Sequence, residues 1–300
     1  MKKELITQEN FIEKKDQLIN DFLNYVDVSL KSQETYKNGI NAFYEYIYTN
    51  GIKNPVREDI LGFRERIKEY LSVSTVNTYM ISIRNFFKWL EYAGLYKNIT
   101  ENVKGLKIGN THRKEPLTID QCKQVIEKAE NTREKIIFLL ATTCGLRANE
   151  LVNIRLSDFK KKDNTICLYI LGKDRDFKED FVVVDNQIYK YIQEYIQEYN
   201  INDYLFVSTS NHNNNGKLTT KTIRLIVKNM LKRIGIDSLE YSLHSLRHTF
   251  ATLSIKEGQD IRSVSQALRH KSLSTSMIYL HDLEKIENKC SKSVSNLLLG

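Results

Sequence analysis

The chain has 300 residues, which is enough for about two domains that each bury a core of their own. Its 45 Lys and Arg residues outnumber its 37 Asp and Glu residues, and the net charge of +8 favours a polyanionic partner such as nucleic acid. Two prolines and 12 glycines are few for this length, so we predict a largely helical chain.

The sequence also argues against export, membrane insertion and a disulfide-stabilised fold. No segment reaches the run of about eighteen apolar residues that a membrane span needs, and the first residues lack an apolar signal core. We therefore expect no membrane association and a cytoplasmic location. The four cysteines, which include no C-x-x-C pair, predict reduced thiols and neither a disulfide framework nor a zinc knuckle.

Four amphipathic helices are predicted within residues 1–96, a number that can close a small bundle. They run from about Asp16 to Val28, from near Ser32, from Arg57 to Leu71, and from Ser74 to Ala93. In the last helix, apolar residues recur at three- and four-residue spacing. Asn77, Arg84 and Lys88 fall on its opposite face, and we predict that they contact DNA.

Periodicity disappears over residues 97–116, which we interpret as an interdomain linker. This stretch contains Lys104, Lys107, Arg113 and Lys114 but only two acidic residues. Such a basic segment suits a strap along phosphates, and a solvated linker is the equally good alternative.

A second domain is predicted over residues 117–300, and it opens at Thr118, which has capping-box spacing to Gln121. An apolar run from Ile136 to Ala141 predicts a buried helix that stops at Gly145. Two β-rich segments follow, Ile166 to Ile170 and Phe181 to Val184, and they predict a hairpin. Further helices are expected from Gln187 to Tyr199, from Thr219 to Ile234 and, as several short ones, from His244 onward.

Two of these late helices suggest binding surfaces. In the helix from Thr219, one face carries only basic residues at helical spacing, and it is either a DNA contact or a solvated face. Its members are Lys221, Arg224, Lys228 and Lys232. A C-terminal helix over residues 283–299 has an apolar stripe that either caps its own domain or docks on a neighbouring subunit.

A set of six residues in the second domain suggests chemistry. They are Arg147 in GLRANEL, Lys173 in the hairpin, His244 and Arg247 in HSLRHTFAT, and His270 and Tyr279 in LRHKSLSTSMIYLH. Each residue alone would be ordinary: an arginine in a surface ion pair, a solvated lysine, or a tyrosine among 17 that mostly pack. His244 and His248 are four apart, but the glutamate of H-E-x-x-H and a third ligand are missing, which argues against zinc.

The residue types fit cleavage of a phosphodiester by a side-chain nucleophile. Arginine neutralises non-bridging oxygens with a planar fork, and a pair of arginines can replace the metal ions of many nucleases. Histidine handles protons near neutral pH, and lysine can protonate the leaving oxygen once its pKa is lowered. Tyrosine suits a nucleophile that must later leave, because phenoxide is expelled more readily than an alkoxide. We expect no metal ion, ATP or other cofactor.

The sequence resembles the tyrosine recombinase (phage-integrase-type) family, and most closely its compact Xer-type members. GLRANEL is similar to the family's first-arginine motif, HSLRHTFAT to its H-x-x-R motif, and LRHKSLSTSMIYLH to its final histidine-to-tyrosine motif. The resemblance implies that Tyr279 is the nucleophile and that Arg147 and Arg247 clamp the scissile phosphate. It also implies a mainly α fold, with an N-terminal four-helix core-binding (SAM-like) domain and a C-terminal α+β catalytic domain that has a small antiparallel sheet.

The other roles are implied by position as well. Lys173 would be the general acid for the 5′-oxygen, with Lys178 as the alternative because the hairpin is rich in acidic residues. His244 and His270 would support proton transfer and bind phosphate oxygens, and Glu150 would orient the arginines. One position departs from the family: Arg269 stands where a glycine usually precedes the histidine.

The resemblance implies a site-specific recombinase that forms a 3′-phosphotyrosine and exchanges strands through a Holliday junction. Its partners would be a specific double-stranded recombination site and a homotetramer on DNA, assembled from monomers or weak oligomers. Chromosome-dimer resolution and integration or excision of a mobile element are both open. The alternatives are a type IB topoisomerase-like enzyme and a catalytically silent DNA-binding protein on the same fold.

Overall fold

The computed structural model describes residues 10–107, 114–172, 177–208, 216–270, 272–287 and 297, with only the backbone for residues 10 and 281–287. The chain divides into two compact units, residues 1–110 and 111–300. Among the described residues, none of the helices has the length and apolar character that crossing a membrane requires.

The first unit is a helical bundle, as the sequence predicts. It contains α1 (Asn10–Glu13), α2 (Lys15–Tyr25), α3 (Leu30–Thr49), α4 (Arg57–Lys68) and α5 (Val73–Tyr92). The one-turn helix α1 was not predicted, because four residues are too few for a periodic pattern. Ser29 and Ser72 cap α3 and α5 by accepting a hydrogen bond from a backbone N–H three residues on. The core is aromatic, with Phe43 and Phe87 in edge-to-face contact at 5.8 Å.

The segment after α5 packs against this bundle. Ile99 and Val103 are each 5% exposed and belong to the core of the first unit. The Asn77 side chain donates to the Leu106 carbonyl at 2.9 Å and accepts from the Leu106 N–H at 2.8 Å. Arg84 donates to the carbonyl of Val103 at 2.6 Å. Part of the predicted linker therefore lies on the first unit, held by two side chains that the sequence suggested for DNA.

The second unit combines helices with one small sheet, which is the fold class that the sequence predicts. Its helices are α6 (Ile119–Glu127), α7 (Thr132–Thr143), α8 (Ala148–Val152), α9 (Asn186–Glu198), α10 (Thr220–Arg233), α11 (Leu243–Lys256), α12 (Ile261–Ala267) and α13 (Ser274–Glu287), with a 3-10 turn at Leu156–Asp158. The predicted capping box of Thr118 and Gln121 is present at the start of α6. The later part of the predicted helix 283–299, apart from residue 297, lies outside the described residues.

The sheet contains three antiparallel strands in the order β1 (Phe159–Lys162), β2 (Thr165–Ile170) and β3 (Asp180–Val184). The predicted hairpin of β2 and β3 is confirmed, with Ile166 opposite Val184 in the register. Strand β1 was missed because three consecutive lysines give no alternation of apolar and polar residues. It forms by pairing with β2, where Phe159 lies opposite the buried Leu168.

Gly145 sets the turn between α7 and α8. Its φ of +58° lies in the left-handed region that glycine adopts without cost. A Cβ atom there would lie 2.8 Å from Leu268 Cδ2 and 3.1 Å from Phe250 Cδ1. The GLR turn can therefore approach α11 and the end of α12 closely, which brings together three of the motifs that the sequence analysis singled out.

Candidate active site

The predicted catalytic residues come from separate elements of the second unit. Arg147 is the N-cap of α8, His244 and Arg247 lie on α11, and Tyr279 lies on α13. His270 follows α12. Lys173 lies outside the described residues, so its position stays a prediction.

Arg147 is held by Glu150, one turn further along the chain. Its Nη1 atom donates to Glu150 Oε1 at 2.8 Å, and its backbone N–H donates to Glu150 Oε2 at 2.8 Å. Glu150 is 3% exposed, whereas the side chain of Arg147 is 35% exposed. The carboxylate therefore fixes one end of the guanidinium and leaves the rest open to a ligand.

Arg247 is almost completely buried, at 1% exposure. Its Nη1 donates to the Gly145 carbonyl at 2.5 Å, and its Nη2 donates to the Leu268 carbonyl. Its Nε atom is buried without a hydrogen-bond partner in the described part of the chain. Two backbone carbonyls thus orient a charged fork that retains unused donors, and burial followed by the charges of Arg147 and Arg269 lowers the pKa of this guanidinium.

Arg269 adds a third guanidinium to the cluster. Its Nη2 atom lies 2.8 Å from Glu150 Oε2, and its side chain is 8% exposed. Its φ of +55° is the left-handed conformation that costs a non-glycine residue about 1–2 kcal/mol, which gives a physical reason for the usual glycine at this position. Burial raises the pKa of Glu150, but Arg269 and Arg147 outweigh it, so that the pKa lies below its ordinary value.

The tyrosine of the final motif packs within its own unit. Tyr279 is 6% exposed and belongs to a small apolar cluster with Ala251, Val264 and Leu268. The His248 ring meets the Tyr279 ring edge-on at 4.9 Å, and the His270 ring lies parallel to it at 6.4 Å.

His270 is oriented by the helix that carries Tyr279. Its Nδ1 atom lies 2.7 Å from the hydroxyl of Ser276, a fully buried residue of α13. That contact leaves Nε2 for a substrate oxygen. Burial, and then the charges of Arg247, Arg147 and Arg269, lower the pKa of His270 to about 4. The imidazole is therefore neutral at physiological pH and able to accept a proton.

His244 borders a cavity of about 410 Å³ in the second unit. Arg147, Asn149 and Tyr241 also line this cavity, and Arg224 and Lys228 of α10 lie at its wall. Partial desolvation and the charges of Arg247, Arg147 and Lys114 lower the pKa of His244 as well. The cavity is thus bordered by basic groups and a neutral imidazole, which suits an anionic ligand.

The predicted DNA contacts fall into two groups. The four residues predicted on the basic face of α10 are exposed, namely Lys221, Arg224, Lys228 and Lys232. On α5, Lys88 is exposed, but Asn77 and Arg84 are half-buried and bonded to the segment of residues 103–106. DNA contact stays a prediction for all seven residues.

Lys178, the alternative general acid, is engaged elsewhere. Its ammonium group forms an ion pair with Asp158 and donates to the Asn153 carbonyl at 2.8 Å. Asp158 is itself buried and caps the 3-10 turn by accepting from the Arg155 N–H. These contacts indicate a structural role for Lys178.

Three further residues of the cluster were missed or undervalued in the sequence. The sequence suggests His248 only as a zinc ligand, assigns Ser276 no role, and marks Arg269 only as a departure from the family. Ser276 and Tyr279 are three residues apart and therefore lie on one side of a helix. This spacing could have suggested that Ser276 lies beside the catalytic cluster. Within the described residues, no group of three or more His, Cys, Asp or Glu side chains could hold a metal ion.

Comparison with known proteins agrees with this architecture. A model of the phage integrase family matches residues 115–285, and a model of the N-terminal SAM-like domain of phage integrases matches residues 19–94. The tyrosine recombinase XerA of Pyrococcus horikoshii is 30% identical over 293 residues, which cover 94% of this chain and 96% of its own.

Two solved structures share the fold at low identity. The XerH site-specific recombinase in a post-cleavage complex with palindromic difH has a TM-score of 0.79 at 20% identity, over 97% of this chain and 98% of its own. A lambda integrase tetramer bound to a Holliday junction has a TM-score of 0.71 at 14% identity, over 89% of this chain and 76% of its own. The family models and XerA show that this chain belongs to the phage integrase family and is a tyrosine-type site-specific recombinase of the Xer type.

Proposed function

We propose that the second unit cleaves and rejoins DNA strands at a specific recombination site through a 3′-phosphotyrosine bond to Tyr279. Arg147 and Arg247 bind the non-bridging oxygens of the scissile phosphate. The phenolic oxygen of Tyr279 attacks phosphorus, and the bond from phosphorus to the 5′-oxygen breaks. Rejoining reverses this step with an incoming 5′-hydroxyl, so no ATP is consumed.

The observation that carries the proposal is the convergence of Arg147, Arg247 and His270 around Tyr279. These residues lie on separate elements of the fold. The Gly145 carbonyl, in the turn before Arg147, accepts a hydrogen bond from Arg247, and the His270 ring stacks at 6.4 Å on the Tyr279 ring. A purely structural core does not need a buried arginine with a neutral histidine beside it, and burying these polar groups among apolar residues costs free energy. Phosphoryl transfer uses both.

Protons move between the substrate and groups of the same cluster. A neutral imidazole at His244 or His270 accepts the proton of the Tyr279 phenol in the transition state. The lowered pKa of each ring keeps it in the neutral form that this role needs. Lys173 then donates a proton to the departing 5′-oxygen. Lys178 is the weaker candidate because its ammonium group already pairs with Asp158.

The arginines take the place that metal ions hold in many nucleases. Arg147 and Arg269 form ion pairs with one carboxylate, Glu150, and the charge of Arg247 acts on the same group, so positive charge exceeds negative charge in the cluster. A bound phosphate supplies the missing negative charge and accepts from donors that the described residues leave unused, such as Arg247 Nε. Cleavage should therefore not depend on a divalent cation.

Strand exchange requires more than one protomer. We infer that four copies assemble on two DNA sites and exchange strands through a Holliday junction, as the solved complex of the distantly similar lambda integrase suggests. In this arrangement the first unit acts as the core-binding domain, residues 97–116 form the linker, and residues 283–299 dock on the neighbouring protomer. Such a head-to-tail contact closes into a ring.

The test is capture of the covalent intermediate. A DNA substrate nicked near the cleavage point traps the protein, and the adduct is measured on a denaturing gel in excess chelator. Wild-type protein should form the adduct, Tyr279→Phe should bind DNA but form none, and Tyr199→Phe, at an exposed tyrosine of the same unit, should behave as wild type. Adduct formation by Tyr279→Phe would place the nucleophile elsewhere.

A two-site assay separates recombination from simple relaxation. Wild-type protein should exchange strands between two copies of its site and yield recombinant products that Tyr279→Phe does not form. Relaxation of supercoils without recombinant product would favour the topoisomerase-like alternative.

A further inference from the structure

Arg269 adopts a backbone conformation that its side chain does not favour. Its φ of +55° is disfavoured for every residue with a Cβ atom except Asn and Asp, which tolerate it better. Glycine would adopt the same turn without this cost. The contacts of the Arg269 side chain therefore have to offset the free-energy cost of this backbone conformation.

Two contacts of this side chain lead to the segment that carries Arg147. The Arg269 Nη2 atom lies 2.8 Å from Glu150 Oε2 and donates to the Gly145 carbonyl at 3.3 Å. Its Nη1 donates to the Ala267 carbonyl at 2.6 Å, within its own turn. The guanidinium thus connects the turn before His270 with the α7–α8 turn, two segments separated by 119 residues in the chain.

Glu150 is the midpoint of this arrangement. Its Oε1 accepts from the Arg147 side chain, and its Oε2 accepts from the Arg147 backbone and from Arg269. A carboxylate that is 3% exposed and bonded on both oxygens has little freedom to rotate. Without Arg269, Oε2 would lose a charged partner and the carboxylate could turn, carrying Arg147 Nη1 with it.

We propose that Arg269 is a positioning residue, which fixes the Glu150 carboxylate and thereby the orientation of Arg147 toward the scissile phosphate. The proposal rests on the proposed role of Arg147 in binding that phosphate. In this proposal Arg269 acts through Glu150 and not on DNA: its side chain is 8% exposed and both of its Nη atoms are bonded to protein oxygens.

A purely structural brace is the competing explanation, and it predicts different measurements. Loss of a brace lowers the melting temperature and reduces every activity in proportion to the unfolded fraction. Loss of a positioning residue lowers the rate of the chemical step while DNA binding and folding persist. Arg269→Gly is the informative variant, because glycine suits the left-handed backbone and removes only the side chain.

The experiment measures single-turnover formation of the covalent adduct at saturating protein, together with DNA affinity and melting temperature. Arg269→Gly should cleave roughly 100-fold more slowly, which is the scale of a misplaced group of about 1 Å. Its DNA affinity should stay within about threefold. Arg269→Lys, which keeps a charge near Glu150 but lacks the fork, should recover part of the rate. Arg262→Ala, at an exposed arginine of α12, should cleave as wild type.

Glu150→Gln tests whether Arg269 acts through the carboxylate. If it does, Arg269→Gly should cost far less in the Glu150→Gln background than in the wild type, since residues of one network are not additive. Fully multiplicative effects, or wild-type cleavage by Arg269→Gly, would overturn the proposal, and so would a rate loss that follows melting. Tyr279→Phe in the same assay tests the proposed function separately: an adduct from that variant would refute the nucleophile and leave the Arg269 result unchanged.

Discussion

The two units of this recombinase bury different kinds of residues. In the first unit, none of the described buried residues carries a charge, and the core consists of aromatic and aliphatic side chains. In the second unit, Glu150 and Arg247 are buried beside an apolar core of similar construction. The half-buried Arg84 of the first unit is matched to a carbonyl, whereas Arg247 and Arg269 each retain a buried Nε without a partner among the described residues.

This difference locates the chemistry more firmly than any single residue does. Buried charges destabilise a fold unless they are matched, and a cluster that stays incompletely matched is typical of a functional site. In the first unit the described charged residues lie outside the core. The second unit holds an excess of positive charge that a phosphate would neutralise. DNA that binds to the native state should accordingly stabilise the second unit in particular.

The largest effect should follow from changing the buried charge itself. Arg247→Lys keeps the charge but cannot donate to both the Gly145 and Leu268 carbonyls and also grip a phosphate. We expect covalent adduct formation to fall by about a thousandfold, the scale of removing a preorganised donor, while single-site binding persists. Gel shifts and adduct gels measure the two quantities. Arg84→Lys in the first unit is the matched control, and equal losses in both variants would break the distinction between the units.

The general acid should give the next largest effect, and it separates two lysines. Lys173→Met should cut ordinary DNA at least about a hundredfold more slowly, since general acids contribute on this scale. A substrate with sulfur in place of the bridging 5′-oxygen should restore cleavage, because a thiolate leaves without protonation. Lys178→Met should instead lower the melting temperature of the second unit, since the buried Asp158 would lose its cationic partner. If the sulfur substrate restores cleavage by Lys178→Met and not by Lys173→Met, Lys178 is the general acid.

Much of this architecture could be predicted from local patterns, and the exceptions share a cause. The bundle helices, the capping box at Thr118 and the β2–β3 hairpin depend on periodicity and on neighbours within a few residues. Strand β1 and the contacts of Arg269 depend on partners elsewhere in the fold. Nothing local in the sequence around Arg269 indicates that its guanidinium reaches Glu150. Likewise, the exposure expected of Asn77 holds for the isolated helix, but the returning chain occupies its amide.

The pH dependence of stability should distinguish the units by a smaller amount. None of the six histidines lies within residues 1–110. His270, with its pKa lowered from 6.5 to about 4, stays neutral in the fold while the unfolded chain takes up a proton. The stability that depends on the neutral form of His270 is therefore fully present above pH 6.5 and is lost as the pH falls toward 4.

At pH 5 we expect His270 to lower the free energy of unfolding by about 1 kcal/mol relative to neutral pH, after allowing for its partial exposure. Urea unfolding of the wild type and of His270→Gln, each at neutral and acidic pH, measures it. The variant should lose less stability on acidification than the wild type. An identical loss in both proteins would show that His270 takes up its proton as readily in the fold as in the unfolded chain, so that its pKa is not lowered.

The smallest effect concerns the exposed basic face of α10, where the cluster meets the protein surface. Lys228 lies at the cavity wall and is 3.7 Å from Asp237, which also pairs with Lys232 at 3.0 Å. If the face contacts phosphates, Lys228→Ala should weaken binding to all sequences and lower the salt slope of log K by roughly one unit. Asp237→Asn should strengthen binding, because it frees both lysines from their shared carboxylate.

Lys123→Ala, at an exposed lysine of a different helix, α6, should leave the slope unchanged. An unchanged slope for Lys228→Ala as well would mean that the face is merely solvated. The excess charge of the second unit would then act only at the arginine cluster, on the single phosphate that is cleaved.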